Sequence, residues 1–159
     1  MAITQPANTT ASCVEKVNVI VRGKSENPTK MTVQAGKFKL VIDEPEQMGG
    51  TNEGPSPIQV LLMALAGCLN VTGHHVARER SIPLKGMKVK IEGVMNPCTF
   101  IGCSFEERPG FKQVKVTVTP EFEGEVSDEE VTAWLQETES RCPVTDNIRA
   151  GTHISIARG

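Results

Sequence analysis

Cys142 is followed at once by Pro143 in the segment RCPVTDNI. Proline suits the first position of a helix, so Cys142 falls at a helix N-terminus, where unpaired N–H groups and the helix dipole favour a thiolate and lower a cysteine's pKa. Cys68 stands in ALAGCLN, in the middle of a long apolar stretch. It reads either as a small buried hydrophobe or as a reactive thiol, and a structural cysteine is likewise the alternative at Cys142. If the two thiols meet, they have the makings of a peroxidatic and a resolving cysteine, in which a sulfenic acid formed on one condenses with the other.

The other residues able to do chemistry give thinner patterns. Cys98 and Cys103 form a C-x4-C spacing that fits half of a zinc site, a local disulfide or neither, and no second ligand pair with metal spacing follows. His74 and His75 come after Cys68 on the same run, and His75 shares its helix face about two turns away, roughly 10 Å along the axis. That separation is too long for direct thiol activation, so the two read as polar residues near a helix exit rather than as a base or metal ligand. Glu44, Glu46 and Glu53 read as a solvated loop face, with Glu53 near enough in sequence to the helix start to reach a site at its mouth. The chain has no Ser-His-Asp arrangement, glycine-rich phosphate loop or H-E-x-x-H motif. No resident cofactor or metal is expected.

Positioning Cys68 is the task of the stretch Ser56 to Arg80, which predicts one long, mostly buried helix. Ser56 serves as N-cap, Pro57 takes the first helical position and Gln59 completes a capping box. Ile58, Leu61, Leu62, Leu65, Leu69 and Val76 recur at helical spacing, and Val60, Met63, Ala64, Ala66 and Val71 fill most remaining faces. A helix apolar nearly all round needs cover on more than one side, and a second copy of the chain with the central helices packed together would supply it. The apolar run from Ile58 to Val71 falls short of the ~20 residues of a membrane span and contains Gln59 and Asn70, so no membrane insertion is expected.

Around this helix, alternating residues predict strands. They are residues 14–22, then Met31 to Val33 and Phe38 to Ile42 flanking Ala35-Gly36, then Met87 to Ile91, Val114 to Val118, and a last strand HISIAR. The acidic, Gly/Pro-rich segment Asp43 to Pro57 predicts a loop, and so does NPCTFIGCSFEERPG. Ser127 with Glu130 marks a second amphipathic helix bearing Val131, Trp134, Leu135 and Thr138 on one face; a short helix from Pro143 ends at Gly151. The resulting order, β-β-β-α-β-β-α-α-β, is that of an α+β fold with the central helix on antiparallel sheets.

The 159 residues predict a single domain, 1–159, with residues 1–12 as a loose arm. A net charge of −2 gives no footprint for nucleic acid or an anionic membrane. Without a basic and apolar leader the N-terminus predicts a cytoplasmic protein. Five cysteines, an odd number, argue for reduced thiols rather than a disulfide framework.

The segments DEPEQMGGTNEGPSPIQVLLMALAGCLNVT and RCPVTDNI together resemble the OsmC/Ohr family of osmotically inducible and organic-hydroperoxide-resistance proteins, and the likeness runs from about Val14 to the C-terminus. It implies an intertwined α+β homodimer with two sites at the interface. It also implies that Cys68 attacks a hydroperoxide, that Cys142 resolves it, and that an external thiol reductant regenerates the pair. The sequence departs from the peroxidases of that family in one respect. They carry a glutamate in the first helical turn and an arginine from the N-terminal strand region. This chain has Ile58-Gln59 in that turn, and KFKLVIDEPEQMGG contains no arginine, Arg22 lying earlier. Two readings follow: an organic-hydroperoxide peroxidase, or a binding protein for a small apolar molecule or acyl-thiol that lacks the activating pair.

Overall fold

The computed structural model describes residues 16–159. The chain divides into two compact units, Met1–Pro55 and Ser56–Gly159.

The first unit holds three antiparallel strands in the order β1 (Arg22–Ser25), β2 (Met31–Ala35) and β3 (Phe38–Ile42). Arg22 faces Gln34 across β1–β2, and Met31 faces Ile42 across β2–β3. The first turn is set by Asn27, whose side-chain oxygen accepts from the N–H groups of Thr29 and Lys30 at 2.9 and 2.6 Å, a local bond that short amide side chains make readily. Beyond β3 the loop is organised by a buried carboxylate. Asp43 accepts from the Thr51 hydroxyl at 2.6 Å and from the backbone N–H groups of Glu44, Thr51 and Glu53. The Thr51 hydroxyl, with those N–H groups, outweighs burial and holds the Asp43 carboxyl far below the usual carboxylate range. Two glycines of the same loop are required by close backbone approach: a Cβ on Gly50 would run into the Glu44 carbonyl, and one on Gly54 into that of Val41.

The second unit is built on a two-stranded antiparallel hairpin, β4 (Leu84–Val94) and β5 (Gln113–Phe122), with Val89 opposite Val118. Three longer helices pack with it or with one another: α1 (Pro57–Glu79), α3 (Asp128–Arg141) and α4 (Pro143–Ala150); a short α2 (Cys98–Ile101) lies between the strands. The helix starts follow the sequence signals. Gln59 accepts from the Ser56 N–H at 2.8 Å, and Glu130 from the Ser127 N–H at 3.2 Å, so each reciprocal cap satisfies donors that a helix start leaves free. One core gathers Val76, Ala77, Ile82 and Trp134 against Met87, Val118 and Phe122. Trp134 is fully buried and its indole N–H donates to the Gly73 carbonyl at 2.8 Å, which satisfies its polar atom while its rings fill the core. A second core joins Leu65 and Leu69 of α1 to Cys142, with Val89, Ile91, Val114 and Ile148 around them.

The α+β class, the antiparallel sheets and the central helix agree with the sequence pattern, whereas several details differ. The first strand covers Arg22–Ser25 rather than residues 14–22; residues 16–21 form no strand, and Val14 lies outside the described residues. The HISIAR segment is not a strand either. Both alternations expose their apolar residues, Val19 by 81% and Ile156 by 93%, because a strand needs a neighbour to take its N–H and C=O groups. A short helix, α2, interrupts the loop expected between β4 and β5. The central helix is covered on one face only: Leu65, Leu69, Gly73, Val76 and Ala77 are buried, while Met63 and Val71 are exposed. Contrary to the expectation that its apolar run is too short, α1 at 23 residues is long and apolar enough to cross a membrane; its buried face is occupied here by the two cores.

Candidate functional site: a dithiol beside an apolar cavity

The two cysteines singled out by their surroundings meet. The sulfurs of Cys68 and Cys142 lie 2.9 Å apart, although the residues stand 74 positions apart in the chain. Each is delivered by a different local device. Cys68 projects from the middle of α1, in the turn between the buried residues Leu65 and Leu69. Cys142 sits in extended backbone between α3 and α4, where it ends one helix and caps the next. Pro143 provides the break, because its ring blocks continuation of α3 and its fixed φ starts α4.

The two sulfurs have unlike environments. Cys142 is almost wholly buried, and Cys68 is half-buried. Burial opposes ionisation of Cys142. The Cys68 thiol, the Thr145 hydroxyl and the N–H groups of Thr145 and Val144 outweigh it and hold Cys142 below the ordinary cysteine value. The Thr145 N–H lies 3.4 Å from the Cys142 sulfur. Burial, and then the neighbouring Cys142, push the Cys68 thiol up, and the Val144 N–H and Thr72 hydroxyl offset this only in part. The physical cause is placement: Cys142 faces the free donors of a helix start, whereas Cys68 lies mid-helix, where the backbone N–H groups are already bonded.

A cavity of about 430 Å³ adjoins the pair. Leu65, Leu69, Val114 and Ile148 line it and also pack around Cys142, and Thr145 lines it while donating to the Cys142 sulfur. Its wall is mainly apolar, with one buried polar exception. The hydroxyl oxygen of Thr138, a lining residue only 3% exposed, has no hydrogen-bond partner among the described residues. Glu139 and Arg149 also border the cavity and are paired with each other. Thr138 was placed by sequence on the apolar face of α3; a hydroxyl among Val131, Trp134 and Leu135 was the available signal of a polar group aimed inward.

The remaining candidates lie elsewhere. His75 bonds Glu79 at 2.9 Å and Arg78 at 2.8 Å near the end of α1. Glu53 pairs with Lys30 at 3.1 Å in the first unit, and Arg22 lies on β1 in the same unit. Gln59, in the first turn of α1, is engaged in capping Ser56. Cys98 and Cys103 belong to α2 and the turn that closes it. Cys13 falls outside the described residues. Among the described residues no group of three or more histidine, cysteine or acidic side chains is arranged to hold a metal ion.

A model of the OsmC-like protein family matches residues 50–157, a span that contains both sulfurs and the cavity. No curated protein matches the sequence. Solved structures with this fold include an OsmC-like protein from Mycoplasma pneumoniae, 18% identical, with TM-score 0.72, covering 86% of this chain and 89% of that one. Another is an organic hydroperoxide resistance protein OsmC, a predicted redox protein from Legionella pneumophila, 22% identical, with TM-score 0.63 and coverage of 85% and 91%. A third is an organic hydroperoxide resistance protein from Elizabethkingia anophelis, 17% identical, with TM-score 0.58 and coverage of 86% and 91%.

Proposed function

Because the chain belongs to the OsmC-like family, we propose that it is a thiol-dependent peroxidase that reduces organic hydroperoxides at the Cys68–Cys142 pair. The observation that carries this reading is the 2.9 Å separation of two sulfurs with unlike ionisation beside an apolar cavity. Cys68, the more open sulfur, attacks the hydroperoxide, and Cys142, when in its thiolate form, accepts its proton. The O–O bond breaks, the alkoxide takes a proton and leaves as the alcohol, and Cys68 becomes a sulfenic acid. The Cys142 sulfur then attacks Cys68, water leaves, and a disulfide forms. An external dithiol returns the pair to the reduced state by exchange. The alkyl group of the substrate lies against Leu65, Leu69 and Val114, and the Thr138 hydroxyl offers a hydrogen bond to its polar part.

In this scheme Cys142 stands in for the missing first-turn carboxylate by activating Cys68 as well as resolving it. Single-turnover consumption of cumene hydroperoxide tests this directly. The Cys68→Ser protein is expected to consume none. Cys142→Ser is expected to slow the first step on the order of a hundredfold, the usual contribution of a positioned base. Consumption by Cys68→Ser as fast as wild type would end the proposal, and an unchanged first step in Cys142→Ser would return Cys142 to a resolving role alone.

The raised Cys68 thiol favours a second reading, in which the same cavity binds a small apolar molecule or acyl-thiol without turnover. It requires slow alkylation of Cys68 and no peroxide-dependent disulfide. Either reading is proposed for a cytoplasmic single-domain protein acting as a homodimer, whose second copy covers the exposed face of α1 and the unpaired apolar segments near both ends.

A further inference from the structure

The connection between β4 and β5 carries a second pair of thiols. Cys98 opens α2, and Gly102, at φ 80° and ψ 15°, closes it in the left-handed conformation. The N–H groups of Gly102 and Cys103 converge on the Cys98 carbonyl, that of Cys103 at 2.9 Å. This Schellman-type closure sets the side chain of the third residue before the helix cap against that of the second residue after it, a position normally used for an apolar contact. Here both positions are cysteine. The Cys103 thiol also reaches the Cys98 carbonyl at 3.5 Å, and the neighbouring Cys103 is the largest influence raising the Cys98 thiol.

The turn is tied down from outside. Glu107 accepts from the Asn96 amide at 2.7 Å and pairs with Lys112, its carbonyl accepts from the Thr99 hydroxyl at 2.6 Å, and Asn96 accepts from the Cys98 N–H at 3.0 Å. Cys103 is exposed and Cys98 half-buried, and the neighbouring Phe100 and Phe105 are exposed. An exposed attacking sulfur, a sheltered partner and a fixed turn are the parts of a dithiol exchange site.

We propose that Cys98 and Cys103 form a second redox couple, a surface dithiol that exchanges with low-molecular-weight disulfides and closes as a local disulfide across the Gly102 turn. Cys103 loses its proton to solvent and attacks one sulfur of the external disulfide; that S–S bond breaks and one thiolate leaves. Cys98, deprotonated in turn, attacks the Cys103 sulfur and expels the second thiolate. Two protein thiols and one external disulfide thus become one protein disulfide and two external thiols, the released thiolates taking up the two protons, with two electrons passing outward. The couple is independent of the chemistry assigned to Cys68 and Cys142.

Equilibration of the full-length protein in glutathione buffers, followed by acid quench, alkylation and peptide mapping, tests this. Wild type is expected to pass from dithiol to the Cys98–Cys103 disulfide without accumulating glutathione on either residue. Cys98→Ser is expected to hold glutathione on Cys103 as a stable mixed disulfide. Separate glutathione adducts on wild-type Cys98 and Cys103, or thiols that persist in fully oxidised glutathione, would each overturn the proposal.

Discussion

At the residue scale, the sulfur held as the stronger acid is Cys142, the more deeply buried of the pair. Burial alone would make it the weaker acid; the hydrogen bonds converging on it reverse the order. This gives a sign to the pH dependence. A group whose folded pKa is lowered keeps its anion down to a lower pH, so the anionic state of the pair persists to a lower pH than that of an ordinary cysteine and is lost as pH falls further. Pseudo-first-order peroxide consumption by wild type should therefore lose its rate at a lower pH than the ionisation of an ordinary cysteine would dictate. Cys68 in Cys142→Ser, freed of the neighbouring sulfur that pushes its thiol up, should alkylate with iodoacetamide at lower pH than in wild type, as mass spectrometry of the modified peptide would show. A peroxide-consumption profile of Cys142→Ser that overlays wild type would remove Cys142 from the activation step.

At the scale of elements, α3 is anchored to α1 in the core by Trp134 and at the surface by the ion pairs of Arg80 with Glu137 and of Arg141 with Glu79. Trp134 fills the core and donates to the Gly73 carbonyl, and its ring meets that of Phe122 edge-on, with centroids 6.2 Å apart. Trp134→Phe removes the donor and part of the ring while keeping an aromatic in place, and is expected to cost about 1–3 kcal/mol in urea unfolding. Because α3 leads directly into Cys142, the same substitution should raise the solvent accessibility of that sulfur, measurable as faster alkylation at fixed pH. Helix starts were the most legible features of this scale, since Ser56 with Gln59, Ser127 with Glu130, and Cys142 with Pro143 are local signals that do not depend on the rest of the chain. The short α2 was not read, because its single turn is held by Glu107 and Asn96 and leaves no periodicity of its own. The role of Asp43 was missed for a similar reason: its partners Thr51 and Glu53 lie across the loop, and an acidic Gly/Pro-rich segment looks the same whether solvated or folded around a carboxylate.

At the scale of the whole molecule, α1 leaves an apolar face open. Met63, Gly67 and Val71 follow one another at helical spacing, Met63 and Val71 are 59% and 69% exposed, and the space beside Gly67 is empty. A small residue between two apolar ones lets a second helix approach closely, which is how the proposed dimer would cover this face. Val71→Glu is expected to shift the protein to monomer in light scattering coupled to gel filtration, with wild type eluting as a dimer at the same concentration. A monomeric wild type would reject the dimer.

The sequence by itself determined the elements that rest on local rules: three capped helices, the hairpins flanking Ala35-Gly36 and joining β4 to β5, and the two cysteines in environments that suit thiol chemistry. It also carried the family resemblance, through a glycine-rich loop whose Gly50 and Gly54 are explained by backbone contacts only the folded unit reveals. Tertiary structure decided the rest. The meeting of Cys68 with Cys142, the order of their acidities, the unpartnered Thr138 hydroxyl and the fate of the alternating end segments all depend on what approaches from distant parts of the chain. Periodicity reports which face of an element is apolar; it does not report which neighbour covers that face, and a pKa or a strand exists only once that neighbour is in place.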